Sequence, residues 1–289
     1  MKDIYDLIII GGGPAGLTAA IYARRANLNV LIIDYSQTNK LSKIANIENY
    51  PGFNSISGFE LDQNFRKQVQ DLSIEIIDEK AIEIKQHTIF TSNNEYEAKA
   101  ILIATGSKQR KLDLPNASEY EGKGISYCAT CDGFFFRNKP VVVIGDSSIA
   151  IEEAKYLSSL SSKVTIVSRN ENVIDGIETK TNSIPTNIVI KDEKIVALTI
   201  QNIETKQTED IECSGIFPYI SFNPSTDFVD KTILNDKGYI KVSPDMSTSI
   251  EYIYAAGDCI EKDLRQIVTA AADGAIAATS IIKYLKNKA

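Results

Sequence analysis

The sequence has a single histidine, His87, only four cysteines, and no excess of positive charge: 31 Lys and Arg against 38 Asp and Glu give 31 − 38 = −7 over 289 residues. One histidine excludes a His-rich metal centre and argues against a Ser–His–Asp hydrolase. The acidic balance argues against general nucleic-acid binding. No uninterrupted apolar run approaches the ~18–20 residues of a membrane helix. The early apolar run 7–10 passes straight into glycines, without the cleavage pattern of a secretory signal. A cytoplasmic protein without membrane or nucleic-acid partners is therefore expected. Glycine and proline, at 16 and 8, are too ordinary for a fibrous or low-complexity chain.

The length suggests about two domains. Residues 4–10 read as a buried strand, 11–16 (GGGPAG) as a tight turn, 17–26 as an alanine-rich helix, and 29–34 as a second strand ending in an acid. That is a β-α-β unit, which requires parallel strands. The pattern returns at 140–144, 145–150, 151–160 and 163–167. A helix over 58–72 and strands near 74–77, 81–91 and 100–104 fall between the two units. Strands near 188–191, 194–202, 208–213, 238–242 and 252–255 and a helix over 268–283 follow, with 216–226 as a crossing strand and linker. The expected fold is α/β with two nucleotide-binding, Rossmann-like domains. The second and smaller domain, 111–215, is inserted in the first, 1–110 with 216–289.

Gly11-x-Gly13-x-x-Gly16 lies between strand and helix. Its glycines permit a tight turn, close approach of a pyrophosphate and close helix–strand packing. The helix N-terminus offers N–H groups to phosphate. Asp34 follows at the distance of an acid that hydrogen-bonds a ribose. A dinucleotide site is expected, with FAD and NAD both open on this motif alone.

Cys128-Ala129-Thr130-Cys131-Asp132 is a C-x-x-C followed by an acid. It reads as half of a zinc site or as a dithiol cycling through a disulfide. Zinc wants four ligands, and the other candidates are His87 and two distant cysteines, Cys213 and Cys259, so the redox reading is preferred. Asp132 is then a candidate general acid–base, or else a turn former before Gly133.

At this point the sequence resembles the low-molecular-weight thioredoxin reductases over essentially its whole length. The matching stretches are 8–28, 48–53 (ENYPGF), 101–107 (ILIATGS), 128–139 (CATCDGFFFRNK), 255–259 (AAGDC) and 265–274 (RQIVTAAADG). The resemblance implies FAD as cofactor. Gly11, Gly13, Pro14, Ala15, Gly16 and Asp34 would line its pyrophosphate and adenosine. Ala81 would lie beside the adenine and Asn49 by the isoalloxazine. Ala104, Thr105 and Gly106 would border the flavin nucleotide, and Gly257 and Asp258 would hold the ribityl or pyrophosphate. Arg265, Gln266 and Ile267 would cover the flavin edge. It also implies that Cys131 faces the flavin, that Cys128 attacks the thioredoxin disulfide, and that the chain is a homodimer.

Four departures from the family pattern matter. Where the family has Gly-Gly-Gln-Leu, this chain has Thr38-Asn39-Lys40-Leu41, so Lys40 and Leu41 are the cofactor-binding candidates of that loop. The second turn, G-x-G-x-x-A in the family, is Gly145-Asp146-Ser147-Ser148-Ile149-Ala150. A side chain at 147 obstructs the pyrophosphate, and Asp146 adds negative charge there. Where the family has His-Arg-Arg-x-x-x-Arg, this chain has Ser168-Arg169-Asn170-Glu171-Asn172-Val173-Ile174, and only Arg169 remains to grip a 2′-phosphate. The stretch 168–187 leaves no room for the usual long helix and following strand. These losses make the chain most similar to the ferredoxin-dependent flavin thioredoxin reductases, with reduced ferredoxin as electron donor. Basic docking candidates are Arg24, Arg25, Lys40, Lys43, Lys108, Arg110 and Lys111. The alternatives are an NAD(P)H-dependent reductase with an atypical nucleotide site, a relative serving another disulfide partner, and a non-catalytic flavin sensor.

Overall fold

The computed structural model describes residues 4–36, 39–44, 46–171, 173, 175–220 and 222–288. The chain divides into two compact units, Met1–Lys108 with Asn223–Ala289, and Gln109–Phe222.

The first unit opens with β1 (Ile4–Ile10), α1 (Pro14–Arg25) and β2 (Val30–Asp34). Residues 7–10 of β1 and all of β2 are buried, as strands covered on both faces must be. Pro14 presets the first helical φ of α1. Leu17 is buried on it together with Ala15, Gly16, Ala19, Ala20 and Ala23, which are small enough for close packing on the sheet. Next comes α2 (Gly58–Asp71), whose N-cap Ser57 accepts the Glu60 N–H at 3.1 Å. It leads to β3 (Glu75–Asp78), β4 (Ala81–Lys85), β5 (Thr88–Thr91), β6 (Glu95–Ile103) and the short β7 (Ser107–Gln109). The run 81–91, expected as one strand, is a hairpin. Gln86 sits at φ +51° and Lys85 pairs with Thr88.

The second unit contains α3 (Ala129–Asp132), β8 (Pro140–Ile144), α4 (Ser148–Ser158), β9 (Lys163–Val167) and β10 (Glu178–Lys180). An antiparallel sheet follows, β11 (Ser183–Lys191), β12 (Lys194–Asn202) and β13 (Thr208–Glu212), and then β14 (Gly215–Pro218). The parallel sheet runs β10-β9-β8-β14. Two expectations change here. Residues 215–218 are not a crossing linker but a buried strand paired with β8, so the inserted unit extends to 222. The stretch after β9 has no helix among its described residues, yet it does make a strand, β10, parallel to β9.

The chain returns through β15 (Phe222–Pro224), which pairs with β7, to β16 (Ile253–Ala255) and α5 (Ile267–Lys288). Residues 238–242 form no regular strand. Ile240 makes isolated bridges to Leu234 and Ile260. The main sheet is ordered β3-β2-β1-β6-β5-β4, with β16 beside β6. Among the described helices α5 alone is long and apolar enough to span a membrane. Its Ala270, Ala277, Ala278 and Ile281 are instead packed in the core of the first unit.

Candidate active site

In the first unit, residues distant in sequence meet at one sheet edge. Register places Ile33 beside Ile10, Ile10 beside Ile103, and Ile103 beside Ala255. The next residue of each continues the ladder: Gly11 N–H donates to Ile33 O at 2.8 Å, Ala104 to Ile10 O at 2.8 Å and Ala256 to Ile103 O at 2.9 Å. Asp34, Gly11, Ala104 and Gly257 therefore turn away from the carboxyl ends of parallel strands, where open α/β sheets bind ligands.

The glycines of the turn are not interchangeable. Gly11 sits at φ +114°, and a Cβ there would lie 2.3 Å from Ala104 O. A Cβ on Gly16 would lie 1.9 Å from Gly11 O, so its role is close packing. A Cβ on Gly13 would meet nothing within 4 Å. Gly13 is also the N-cap of α1 and supplies no side-chain cap. Beside Pro14 and the buried Ala15, open space thus faces uncapped helical N–H groups, the arrangement a pyrophosphate requires.

Asp34 is more occupied than expected. Its Oδ1 accepts the Gly12 N–H at 2.9 Å and its Oδ2 accepts Arg66 Nη2 at 2.8 Å. Arg66 also donates Nε to Asp62 at 2.8 Å and Nη2 to Gly12 O at 3.2 Å. Burial works against the guanidinium, yet the two carboxylates hold its pKa above the ordinary value. Sequence reasoning missed Arg66. The only local signal was its i,i+4 spacing from Asp62 on α2.

Lys40 Nζ donates to Ser107 Oγ at 3.2 Å. Protein packed around the ammonium depresses its pKa to about 8, with Asp258 opposing. Its side chain is exposed, so water offsets part of that shift. Burial raises the Asp258 carboxyl, while Lys262, Lys40 and Arg265 act against it. Arg265 stacks over Tyr239 at 4.3 Å. Asn49 Nδ2 donates to Gln266 Oε1 at 3.0 Å, joining two expected flavin neighbours. Thr105 Oγ1 donates to Ser225 O at 2.7 Å, and Gly106 O accepts the Ser225 N–H at 2.9 Å. Ala81 is buried at the start of β4, just past Glu79, whose N–H donates to Asp34 O at 3.1 Å. Leu41 is buried with Ile47, Ile56 and Leu61, and Ile267 packs on them, so these two side chains are core more than lining. Thr38 of the same loop lies outside the described residues.

In the second unit Cys128 and Cys131 form a disulfide with Cα atoms 5.3 Å apart. Cys131 is exposed and Cys128 half-buried. Cys128 is the N-cap of α3, and its Sγ accepts the Cys131 N–H at 3.2 Å. Ser126, unforeseen from sequence, ties the site together. Its Oγ accepts the Cys128 N–H at 3.1 Å and donates to Asp132 Oδ2 at 2.6 Å. Among the described residues no cluster of His, Cys, Asp or Glu could hold a metal. Cys213 and Cys259 are free and buried, their thiols pushed up by burial to about 12 and about 11. His87 stacks on Tyr252 at 4.0 Å with Nδ1 at 2.9 Å from Ala98 O.

The second glycine turn is closed by its own side chains. Ser147 caps α4, its Oγ accepting the Ala150 N–H at 3.2 Å. Asp146 Oδ2 accepts Ser168 Oγ at 2.6 Å and Asn170 Nδ2 at 2.7 Å, so its carboxylate spans from the turn to the end of β9. Arg169 is exposed. Asn172 and Ile174, two positions of the missing arginine motif, lie outside the described residues.

A family profile described as pyridine nucleotide-disulphide oxidoreductase matches residues 5–274. The thioredoxin reductase of Bacillus subtilis is 37% identical over 99% of this chain and 96% of its own. The chain belongs to the thioredoxin reductases. This reductase also superposes on the Lactococcus lactis thioredoxin reductase with TM-score 0.91 at 36% identity, covering 98% of this chain and 99% of that one. A ferredoxin-flavin thioredoxin reductase from Clostridium acetobutylicum matches with TM-score 0.56 at 32% identity, over 99% of this chain and all of that one. The cofactor of the family is FAD, and the uncapped turn at Gly13 fits its pyrophosphate.

Proposed function

We propose that this reductase reduces thioredoxin in the cytoplasm, as a homodimer, with electrons from reduced ferredoxin rather than a pyridine nucleotide. FAD supplies the link when bound, because a flavin accepts electrons singly and passes them as a pair. The observation behind the choice of donor is the contrast between the two turns. Gly13 leaves the N-terminus of α1 open, whereas Ser147 caps α4 and Asp146 puts a carboxylate across the second turn. An anion site needs free N–H groups and no competing negative charge. The cofactor positions assigned in this reading are those the resemblance implies, from Gly11 to Ile267; the open turn at Gly13 supports them, while the Leu41 and Ile267 side chains pack as core.

Reduction of the disulfide adds two electrons and breaks its S–S bond, leaving thiolates that take up protons. Cys128 is the nucleophile in this reading, because the Cys131 N–H already points at its sulfur and would stabilise the thiolate. Cys128 attacks one sulfur of oxidised thioredoxin and expels the other. Cys131 then attacks Cys128, restoring the internal disulfide and releasing the thioredoxin dithiol. Asp132, held by Ser126, gives the departing sulfur its proton and recovers one later. The basic docking candidates are not a set of free cations. Lys108 pairs with Asp227 at 2.6 Å and Lys111 with Glu121 at 2.5 Å.

The test follows the oxidised flavin band without oxygen. Bleaching by reduced ferredoxin and not by NADPH or NADH is the expected result. Rapid bleaching by NADPH would return the chain to the nucleotide-fed reading that the family's own description favours.

A further inference from the structure

We infer that half-buried Glu153 and buried Tyr219 form an acid pair that tunes the Cys128–Cys131 couple through the first N–H of the redox turn. The inference rests on reading that couple as redox-active. Tyr219 directly follows β14, and its own N–H donates to Ile144 O at 2.7 Å, fixing its backbone against the second glycine turn. Its side chain is buried with Ala129, Phe136, Ala150 and Ala154. Its hydroxyl oxygen accepts the Ala129 N–H at 3.0 Å across 90 residues of sequence. Ala129 is wholly buried and follows Cys128 directly.

Glu153, on α4, places its carboxyl beside the same hydroxyl and the same Ala129 N–H. One oxygen, Oε2, is buried without a hydrogen-bond partner. A carboxylate in that position is costly, and burial raises its pKa, with Glu152 on the same helix adding to the effect. From α3, Asp132 adds negative charge around the phenol, whose own pKa burial and Glu153 drive upward.

The consequence is like-charge coupling. Reduction puts negative charge on the Cys128 sulfur, and an ionised Glu153 behind Ala129 opposes it. The Tyr219 hydroxyl, beside the carboxyl, favours its ionised form. Removing either the charge or the hydroxyl that favours it therefore favours the thiolate. Since stabilising the reduced form makes a couple more oxidising, the potential shifts upward as well.

The experiment reads the thiols of the reduced FAD-loaded enzyme, without oxygen, by the pH profile of iodoacetamide alkylation and by redox equilibrium with glutathione. The wild-type chain must first release both thiols of the pair on reduction, which bears on the proposed function alone. Glu153→Gln is then expected to alkylate several-fold faster at neutral pH, with a lower apparent thiol pKa and a higher potential. Tyr219→Phe is expected to move the same way and to add nothing on top of Glu153→Gln. A merely structural pair would leave the thiol profile in place. Unchanged profiles in folded, yellow Glu153→Gln overturn the inference. If that variant does not fold, an unchanged profile in Tyr219→Phe overturns it.

Discussion

The Ser126 hydroxyl stands 2.6 Å from Asp132 Oδ2 while accepting the N–H of Cys128, so one buried side chain orients both the acid and the cysteine. Replacing Ser126 by Ala removes a hydrogen bond to a charged acceptor and orphans a backbone donor. Thioredoxin reduction is expected to fall by roughly tenfold, the equivalent of ~1.4 kcal/mol, at the lower end of what a charge-assisted hydrogen bond contributes. Asp132→Asn should cost more, on the order of 100-fold or above, as loss of a general acid does. Steady-state rates with FAD saturating check both, and a Ser126→Ala enzyme at wild-type rate would remove Ser126 from the machinery.

Gly13 and Gly16 separate binding from packing. Gly13→Ala is expected to fold normally and to purify with less flavin, because its Cβ enters the space in front of the α1 N-terminus. Gly16→Ala is expected to unfold at lower temperature, because its Cβ is driven into Gly11 O. Flavin-to-protein absorbance and thermal melts of the two variants distinguish the outcomes.

Lys40 gives FAD affinity a pH dependence. Its pKa is about 8 in the protein without cofactor. An anionic pyrophosphate alongside Asp258 would raise it, so binding takes up a proton. Affinity for FAD is then full below about pH 8 and declines as pH rises toward the bound-state pKa. The same lowered pKa, set against the ordinary lysine value of 10.5, makes the fold gain stability as pH rises between about 8 and 10.5, where only the unfolded chain still holds the proton. Lys40→Gln should flatten both curves, as read by flavin fluorescence and urea titration. Solvent exposure of Lys40 keeps both effects small.

The clasp on the second turn is expected to be structural as well as exclusive. Asp146→Ala takes away the 2.6 Å partner of fully buried Ser168, whose hydroxyl keeps Asn170 O at 3.0 Å, so the cost is about 1 kcal/mol. Asp146→Gly with Ser147→Gly should reopen the N-terminus of α4 and allow measurable NADH or NADPH binding by fluorescence. No gain of binding would mean that the missing arginines, rather than the turn, exclude the nucleotide.

What could be read from sequence was local. Both glycine turns, the dithiol and the alternating β-α-β order announce themselves within a few residues, because backbone sterics and helix periodicity act at short range. What escaped depends on distance in the chain. Arg66 is recognisable only once α2 is laid beside Gly12 and Asp34, and Tyr219 only once β14 is seen to join the second sheet. Ser126 precedes the dithiol by two residues, but a serine there has no signature apart from the hydroxyl's direction. The hairpin at Gln86 hid because the apolar alternation runs on through the turn, and 238–242 shows strand composition without a neighbour to pair with along its length.

The close fit of Gly274 against Ala15 has a bearing on the order of assembly. A Cβ at 274 would lie 2.1 Å from Ala15 O, so α5 rests directly on the helix that presents the phosphate turn. The glycine motif leaves the ribosome early, and its supporting helix leaves far later. Flavin capture is thus a late event, expected to be absent from a chain stopped before Ile267 and present once α5 is supplied. For nearly half of its synthesis, from Cys131 to Ile267 (267 − 131 = 136 of 289 residues), the chain carries the Cys128–Cys131 pair without the cofactor that would govern it, a nascent dithiol open to whatever oxidant the cell holds.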